Sequence, residues 1–418
     1  MKKKILTVIA FTTLTTFGAY AQDEIQKDSL QVLQEQVENN QAKIKGLEKF
    51  KVSGYIQSQM EVSGKDGKTK TSASNAFSDS RDNGDNFLRY GIRRGRIKFQ
   101  YTEGIAKGVF EMDINEGGIG VKNAYLQITP DQCISLQAGL MDRWFGDEVE
   151  YSSSNLEPLE RSLIIQKLFP DEKDLGLKLT LSGMKNTMWD GLKLDLGLVS
   201  GNNIKKDDDG RMDFLAHLKY NHSNSNFSYG IGASFYSGTT NNIDSLWFTV
   251  NNNAWQSEKV EMNKKNKRQY VGFDGQIAFE TVMGLTNFRA EYIFGEQPCV
   301  SGDLKSPDGN TYSNKFNYNR KFAGGYFYAI QDIYNTPLTL VLKYAYLDNN
   351  TELKGNDIKN GGDLANTDYG VGMFWRINSA LRLSAMYDIN KNETTKEVAK
   401  YSKDLNDNIF TLRLQYKF

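Results

Sequence analysis

From Phe50 to Phe418 the sequence runs as period-two segments whose joining stretches alternate between short and long. The last segment is among the clearest: Phe410, Leu412, Leu414, Tyr416 and Phe418 alternate with Thr411, Arg413, Gln415 and Lys417. Leu175/Leu177/Leu179/Leu181 and Leu192/Leu194/Leu196/Leu198 alternate with polar or small residues in the same way. A side-chain period of two gives a strand one apolar and one polar face. Sixteen such segments are legible, each near the 9–11 residues with which a tilted strand crosses a bilayer. Thr102–Gly104, Thr129–Gln132, Asn221–Asn226, Thr281–Gly284, Asp332–Pro337 and Asn378–Ala380 make short joins. Ser63–Asn86, Asp142–Lys173, Gly238–Lys267, Glu296–Asn317, Asp348–Ala365 and Lys391–Asn406 are long and polar. Short turns on one side and long loops on the other characterise an outer-membrane barrel. The expected fold is therefore all-β, a transmembrane antiparallel barrel of about 16 strands over residues 50–418.

The N-terminal stretch points to the same compartment. Lys2–Lys4, an apolar run from Ile5 to about Phe17 and Ala19-Tyr20-Ala21 form a basic head, a short core and a small-residue cleavage site. That is the layout of a secretory signal peptide, residues 1–21; the run is shorter than the roughly 20 residues of a spanning helix. A strand ending on an aromatic residue, as at Phe418, fits the address of outer-membrane proteins. Between these ends, Leu30, Leu33, Val37, Asn40, Ile44 and Leu47 recur at spacings of three and four. This heptad seam predicts a short periplasmic coiled coil in residues 22–49, and the polar Asn40 inside it sets register. Without the leader, 48 basic residues face 51 acidic ones. A net charge of that sign excludes a nucleic-acid binder, which is strongly basic. Cys133 and Cys299 fall at opposite ends of the predicted barrel, so no intrachain disulfide is expected.

Sixteen strands enclose an aqueous channel, and the stretch before Phe50 is too short for a plug. Passive diffusion of small polar solutes is the function this architecture implies, with the lipid bilayer as surroundings and no cofactor. Charged lumen-facing side chains set selectivity. Leu88, Tyr90 and Ile92 read as the lipid face, which places Arg89 and Arg93 inward; from Arg94 the parity flips, and Arg94, Arg96 and Lys98 also face inward. A β-bulge between Arg93 and Arg94 reconciles the two parities. Arg89, Arg93, Arg94, Arg96 and Lys98 then form a basic stripe lining the pore. By the same parity Lys107, Lys178, Lys193, Lys219, Lys343, Arg376, Arg382 and Arg413 face the lumen, as do Glu111, Asp113, Asp195, Asp213, Asp274, Glu291 and Asp388. The stripe either guides anions, whose oxygens suit guanidinium forks, or pairs with Glu111 and Asp113 on the next strand. An outer-membrane barrel enzyme (phospholipase or protease) is the alternative from another class, but it needs a positioned base. His217 and His222 are the only histidines and carry no neighbouring nucleophile pattern, so no catalytic residue and no metal ligand is assigned. An adhesion or structural barrel is a third reading, resting on loops such as Asn241–Lys267.

At Val52-Ser53-Gly54-Tyr55-Ile56-Gln57, Arg93-Arg94-Gly95-Arg96, Lys122-Asn123-Ala124-Tyr125, Gly139, Glu160-Arg161-Ser162 and Asp174-Leu175-Gly176 the chain resembles the phosphate-selective porin O and P family, in its Bacteroidetes-type branch. The likeness spans most of residues 50–200. It implies a homotrimeric sixteen-stranded porin of the bacterial outer membrane whose third outer loop folds into the lumen. That loop corresponds to about Met141–Lys173 and makes Asp142, Arg143, Trp144 and Glu148 the constriction-loop candidates, with Glu150 nearby. Asp142 and Trp144-Phe145 stand where the family often has Lys and Pro-Phe after the glycine. An acidic residue in a constriction repels phosphate, so a general or weakly anion-preferring pore is expected.

Overall fold

A computed structural model of the protein describes residues 48–67, 87–205, 207, 209–306 and 317–418, together with positions 36 and 46. The expected signal peptide lies outside these residues, as does nearly all of the coiled-coil segment. The first strands are β1 (Phe50–Ser63), β2 (Phe87–Glu103), β3 (Ala106–Asn115), β4 (Gly118–Asp131) and β5 (Ile134–Asp142). After a long loop holding the helix α1 (Leu163–Leu168) come β6 (Lys173–Ser182), β7 (Leu192–Val199), β8 (Asp213–Ser223) and β9 (Phe227–Asn241). β10 (Leu246–Asn251) and β11 (Ala254–Lys259) form a hairpin of their own. The remainder are β12 (Lys265–Thr281), β13 (Gly284–Cys299), β14 (Tyr318–Asp332), β15 (Leu338–Asp348), β16 (Ala365–Arg376), β17 (Leu381–Asn392) and β18 (Ile409–Lys417).

Sixteen of these strands close one antiparallel barrel. Each pairs with its sequence neighbour, β9 pairs directly with β12, and β1 pairs with both β2 and β18. Closure leaves no free edge, which is why a sheet can stand in hydrocarbon. The β10–β11 hairpin lies outside this ring, inside what the sequence presents as one polar loop. It stacks Phe248 on Tyr318 (centroids 4.4 Å apart) and packs Val250 and Trp255 against Leu353, Ile358 and Leu364 from the β15–β16 connection. Hairpin patterning without a bilayer to cross is the reason the two strands add to the strand count but not to the barrel.

The alternation assigns the two faces. Leu88 and Tyr90 on β2 are 68% and 67% exposed on the outside, whereas Arg94 and Arg96 are almost fully buried within. Pairing of β2 with β1 runs from Gln57–Arg94 directly to Ser58–Ile92, passing over Arg93. The bulge thus falls at the parity flip, and Arg93 and Arg94 both point into the lumen.

Candidate functional site: the lumen and its inserted loop

The segment 143–172, between β5 and β6, folds into the barrel. Its apolar residues Trp144, Phe145, Val149, Ile164, Ile165, Leu168 and Phe169 are buried against Val199, Leu215, Tyr236, Tyr270, Ile293 and Phe322 of the wall. Apolar side chains turned into a lumen are exposed to water unless something covers them; here loop and wall cover each other, and the joint burial drives the loop inward. Gly146 sits in the left-handed region (φ 61°), and its N–H donates to Ser234 Oγ at 2.8 Å. A Cβ there would collide with the Glu291 carboxylate, so a glycine is required at this turn.

The four constriction-loop candidates serve as fastenings. Asp142 closes β5, opposite Lys173 of β6, and the two side chains form an ion pair. It is therefore a compensated charge at the loop's base and not a free acidic group in a constriction. Arg143 pairs with Asp174 (2.8 Å), both fully buried. Trp144 donates its indole N–H to the carbonyl of Leu215 on β8 (3.1 Å). Glu148 accepts from the Ser162 backbone N–H (3.0 Å), from the Ser162 hydroxyl and from Tyr328 OH (2.6 Å). None of these side chains presents a free charge to a passing solute.

The far side of the loop grips the opposite wall. Arg93 donates Nε and Nη2 to the two oxygens of Glu160, each at 2.8 Å. Arg94 reaches the same carboxylate (3.1 Å), and so does Arg413 from β18. Burial alone would raise the Glu160 carboxyl; the guanidiniums of Arg93, Arg94 and Arg413 outweigh it and hold the group well below the usual carboxylate range. Gln57 and Gln415 donate to the carbonyls of Ser153 and Ser154, and Arg382 to that of Leu156. On the third side Arg289 pairs with Glu157 (3.2 Å).

The predicted basic stripe is thus divided. Arg89 pairs with Glu116, Arg93 and Arg94 with Glu160, and Arg96 with Asp113 (3.3 Å) and Glu111 (3.7 Å). Pairing across to Glu111 and Asp113 therefore describes Arg96, while Arg93 and Arg94 turn to a loop carboxylate that sequence spacing did not single out. Lys98 differs from all four: among the described residues, no carboxylate pairs with Lys98 or with Lys107 on β3. Lys107 instead feels the like charges of Lys98 and Lys178. Between this wall and the loop lies a cavity of about 740 Å³, lined by Arg93, Arg94, Arg96, Lys122, Glu160 and Lys173 among others.

The two histidines have separate settings. His222 packs at a tilt against Tyr229 near the β8–β9 turn (centroids 5.5 Å apart). His217 is buried, its Nε2 lies 3.1 Å from Asp274, and Glu150 and Asp195 are close by. Periodicity put Asp195 and Asp274 on the lumen face but could not bring them together with His217, since the three sit on β7, β12 and β8. Ser234 faces His217 across the β8–β9 pair, but its hydroxyl is engaged by the Gly146 N–H.

The family model for phosphate-selective porin O and P matches residues 75–418. No curated protein sequence matches the chain. Among solved structures it is similar to OprB of Pseudomonas putida, at 9% identity and TM-score 0.57 over 90% of this chain and 96% of that one. OmpF of Salmonella typhi, in a complex with daunomycin, superposes at 12% identity and TM-score 0.54 over 88% and 97%. The outer-membrane channel DcaP of Acinetobacter baumannii does so at 12% identity and TM-score 0.53, again over 88% and 97%. These likenesses concern the fold.

Proposed function

The chain belongs to the phosphate-selective porin O and P family, and from that premise we propose that its outer-membrane pore prefers anions because of Lys98 and Lys107, not because of the arginines above them. The protein is a porin of the bacterial outer membrane through which small polar solutes diffuse passively. The single observation carrying the anion preference is that, among the described residues, Lys98 and Lys107 lack a carboxylate partner while Arg89, Arg93, Arg94 and Arg96 are each bound to one, Arg93 and Arg94 sharing Glu160. An unpaired ammonium in a narrow aqueous passage raises the local concentration of anions and repels cations, an effect that low-dielectric walls focus. The arginines instead hold the loop, which sets how much of the lumen stays open. Paired charges of both signs along the wall fit a general pore with modest selectivity better than a phosphate-specific one.

The working unit is a homotrimer in this reading, seated in the lipid bilayer by its apolar outer face. A trimer form is known for OmpT of Vibrio cholerae, which shares the fold at 11% identity and TM-score 0.51 over 88% of this chain and 99% of that one. In the same reading residues 1–21 serve as a cleaved signal peptide, 22–49 as a periplasmic coiled-coil segment and 50–418 as the barrel. No catalytic role is assigned. Single-channel recording of the purified protein in a planar bilayer tests the proposal: conductance closing in threes supports a trimeric pore, and folded protein without conductance refutes the porin reading.

A further inference from the structure

We propose that Glu150, Asp195 and His217 form a binding site for one divalent transition-metal ion of the Zn²⁺ class, which ties the inserted loop to β7 and β8. One ligand atom from each of these residues lies within 4.8 Å of the others. Ligands of a tetrahedral zinc with bonds of about 2.0–2.2 Å sit roughly 3.5 Å apart. The group therefore has to contract by about 1 Å, which the half-buried Glu150 on its loop can supply. Asp195 and His217 are nearly fully buried on neighbouring strands, directly opposite each other in register. One imidazole with two carboxylates is a donor set that suits zinc-like ions rather than calcium or magnesium.

A second observation points the same way. Asp274 is only 7% exposed; one of its oxygens lies 3.1 Å from His217 Nε2, and the other, Oδ1, has no hydrogen-bond partner. A carboxylate holding the outer nitrogen of a metal-binding histidine is the usual support for such a ligand, and it leaves Nδ1 to the ion. An ion on Nδ1 also fixes the ring proton on Nε2, where the Asp274 carboxylate accepts it. The other charges at the site are Lys178, 3.1 Å from Glu150, and Lys193, 2.6 Å from Asp195; Thr180 also donates to Asp195 (2.5 Å). Lys178 thus competes with the ion for Glu150 and must release that carboxylate; its ammonium already lies over the Trp144 ring (5.6 Å), a contact it can keep when it does so.

The test is calorimetric titration of Zn²⁺ alone into the untagged, chelator-treated full-length protein in detergent. The expected result is one ion per chain, with affinity at least tenfold weaker in His217→Ala and in Glu150→Gln, and unchanged in His222→Ala. Lys178→Met removes the competing ammonium and is expected to tighten binding, an effect that loss of structure cannot produce. Binding equal in wild type and His217→Ala, absent from folded wild type, or weakened by Lys178→Met overturns the proposal.

Discussion

Arg93 on β2 and Glu160 on the inserted loop meet through two parallel hydrogen bonds of 2.8 Å, and Arg94 and Arg413 close on the same carboxylate. Three guanidiniums on one carboxylate leave an excess of positive charge that is useful only while the carboxylate is present. Glu160→Gln is expected to cost on the order of 3–5 kcal/mol of local stability, as breaking a buried pair does. It should also free the arginines toward the lumen. The expected readout is noisier channels with a reversal potential shifted toward anions. Quiet channels with unchanged selectivity would mean that the three arginines do not hold the loop.

Trp144→Ala removes the side chain that seats the loop on β8. Emptying such a site costs about 3–5 kcal/mol, here taken from the loop's anchoring while the barrel ladder stays intact. Larger and more variable single-channel conductance is expected, with the folded migration of the barrel unchanged in semi-native electrophoresis.

The alternation of faces, the strand number of the closed ring and the bulge at Arg93 were all legible in the sequence, because a strand's period is local and a bilayer tolerates no exceptions to it. The destination of the loop was implied only by family resemblance, and its contacts were not legible at all. Glu160 meets Arg413 across 253 residues, and Asp195, His217 and Asp274 come from three strands. Which lumen charge pairs with which is decided by the loop's path, and an apolar-and-polar pattern does not encode that path. For the same reason Asp142 read as a free acidic group when it is tied to Lys173.

The pH response follows from two loop carboxyls with opposite shifts. Glu160 is held well below its ordinary 4.5 by its arginines against the effect of burial. A depressed carboxyl contributes stability above its ordinary value and loses it only as pH falls through the depressed one. Channel recordings at pH 4 and pH 7 are therefore expected to give the same open-state noise.

Asp407, before β18, is pushed up to about 6 by burial, with Asp404, Asp66 and Asp368 adding repulsion. A raised carboxyl contributes fully below its ordinary 3.8, and the contribution disappears as pH rises through about 6. Hydrogen exchange in residues 393–408, corrected for intrinsic rates, is expected to be faster at pH 7.5 than at pH 5. Asp407→Asn should abolish that difference; a difference that persists would assign it to another group.

The central claim is that Lys98 and Lys107, which no carboxylate pairs with among the described residues, give the pore its selectivity. Reversal potential of single channels under a salt gradient, in wild type and in the double variant Lys98→Ala, Lys107→Ala, tests it most directly. The account predicts anion preference in wild type and its loss, or a reversal to cation preference, in the variant at similar conductance. A cation-preferring wild type, or a variant with undiminished anion preference, would contradict it.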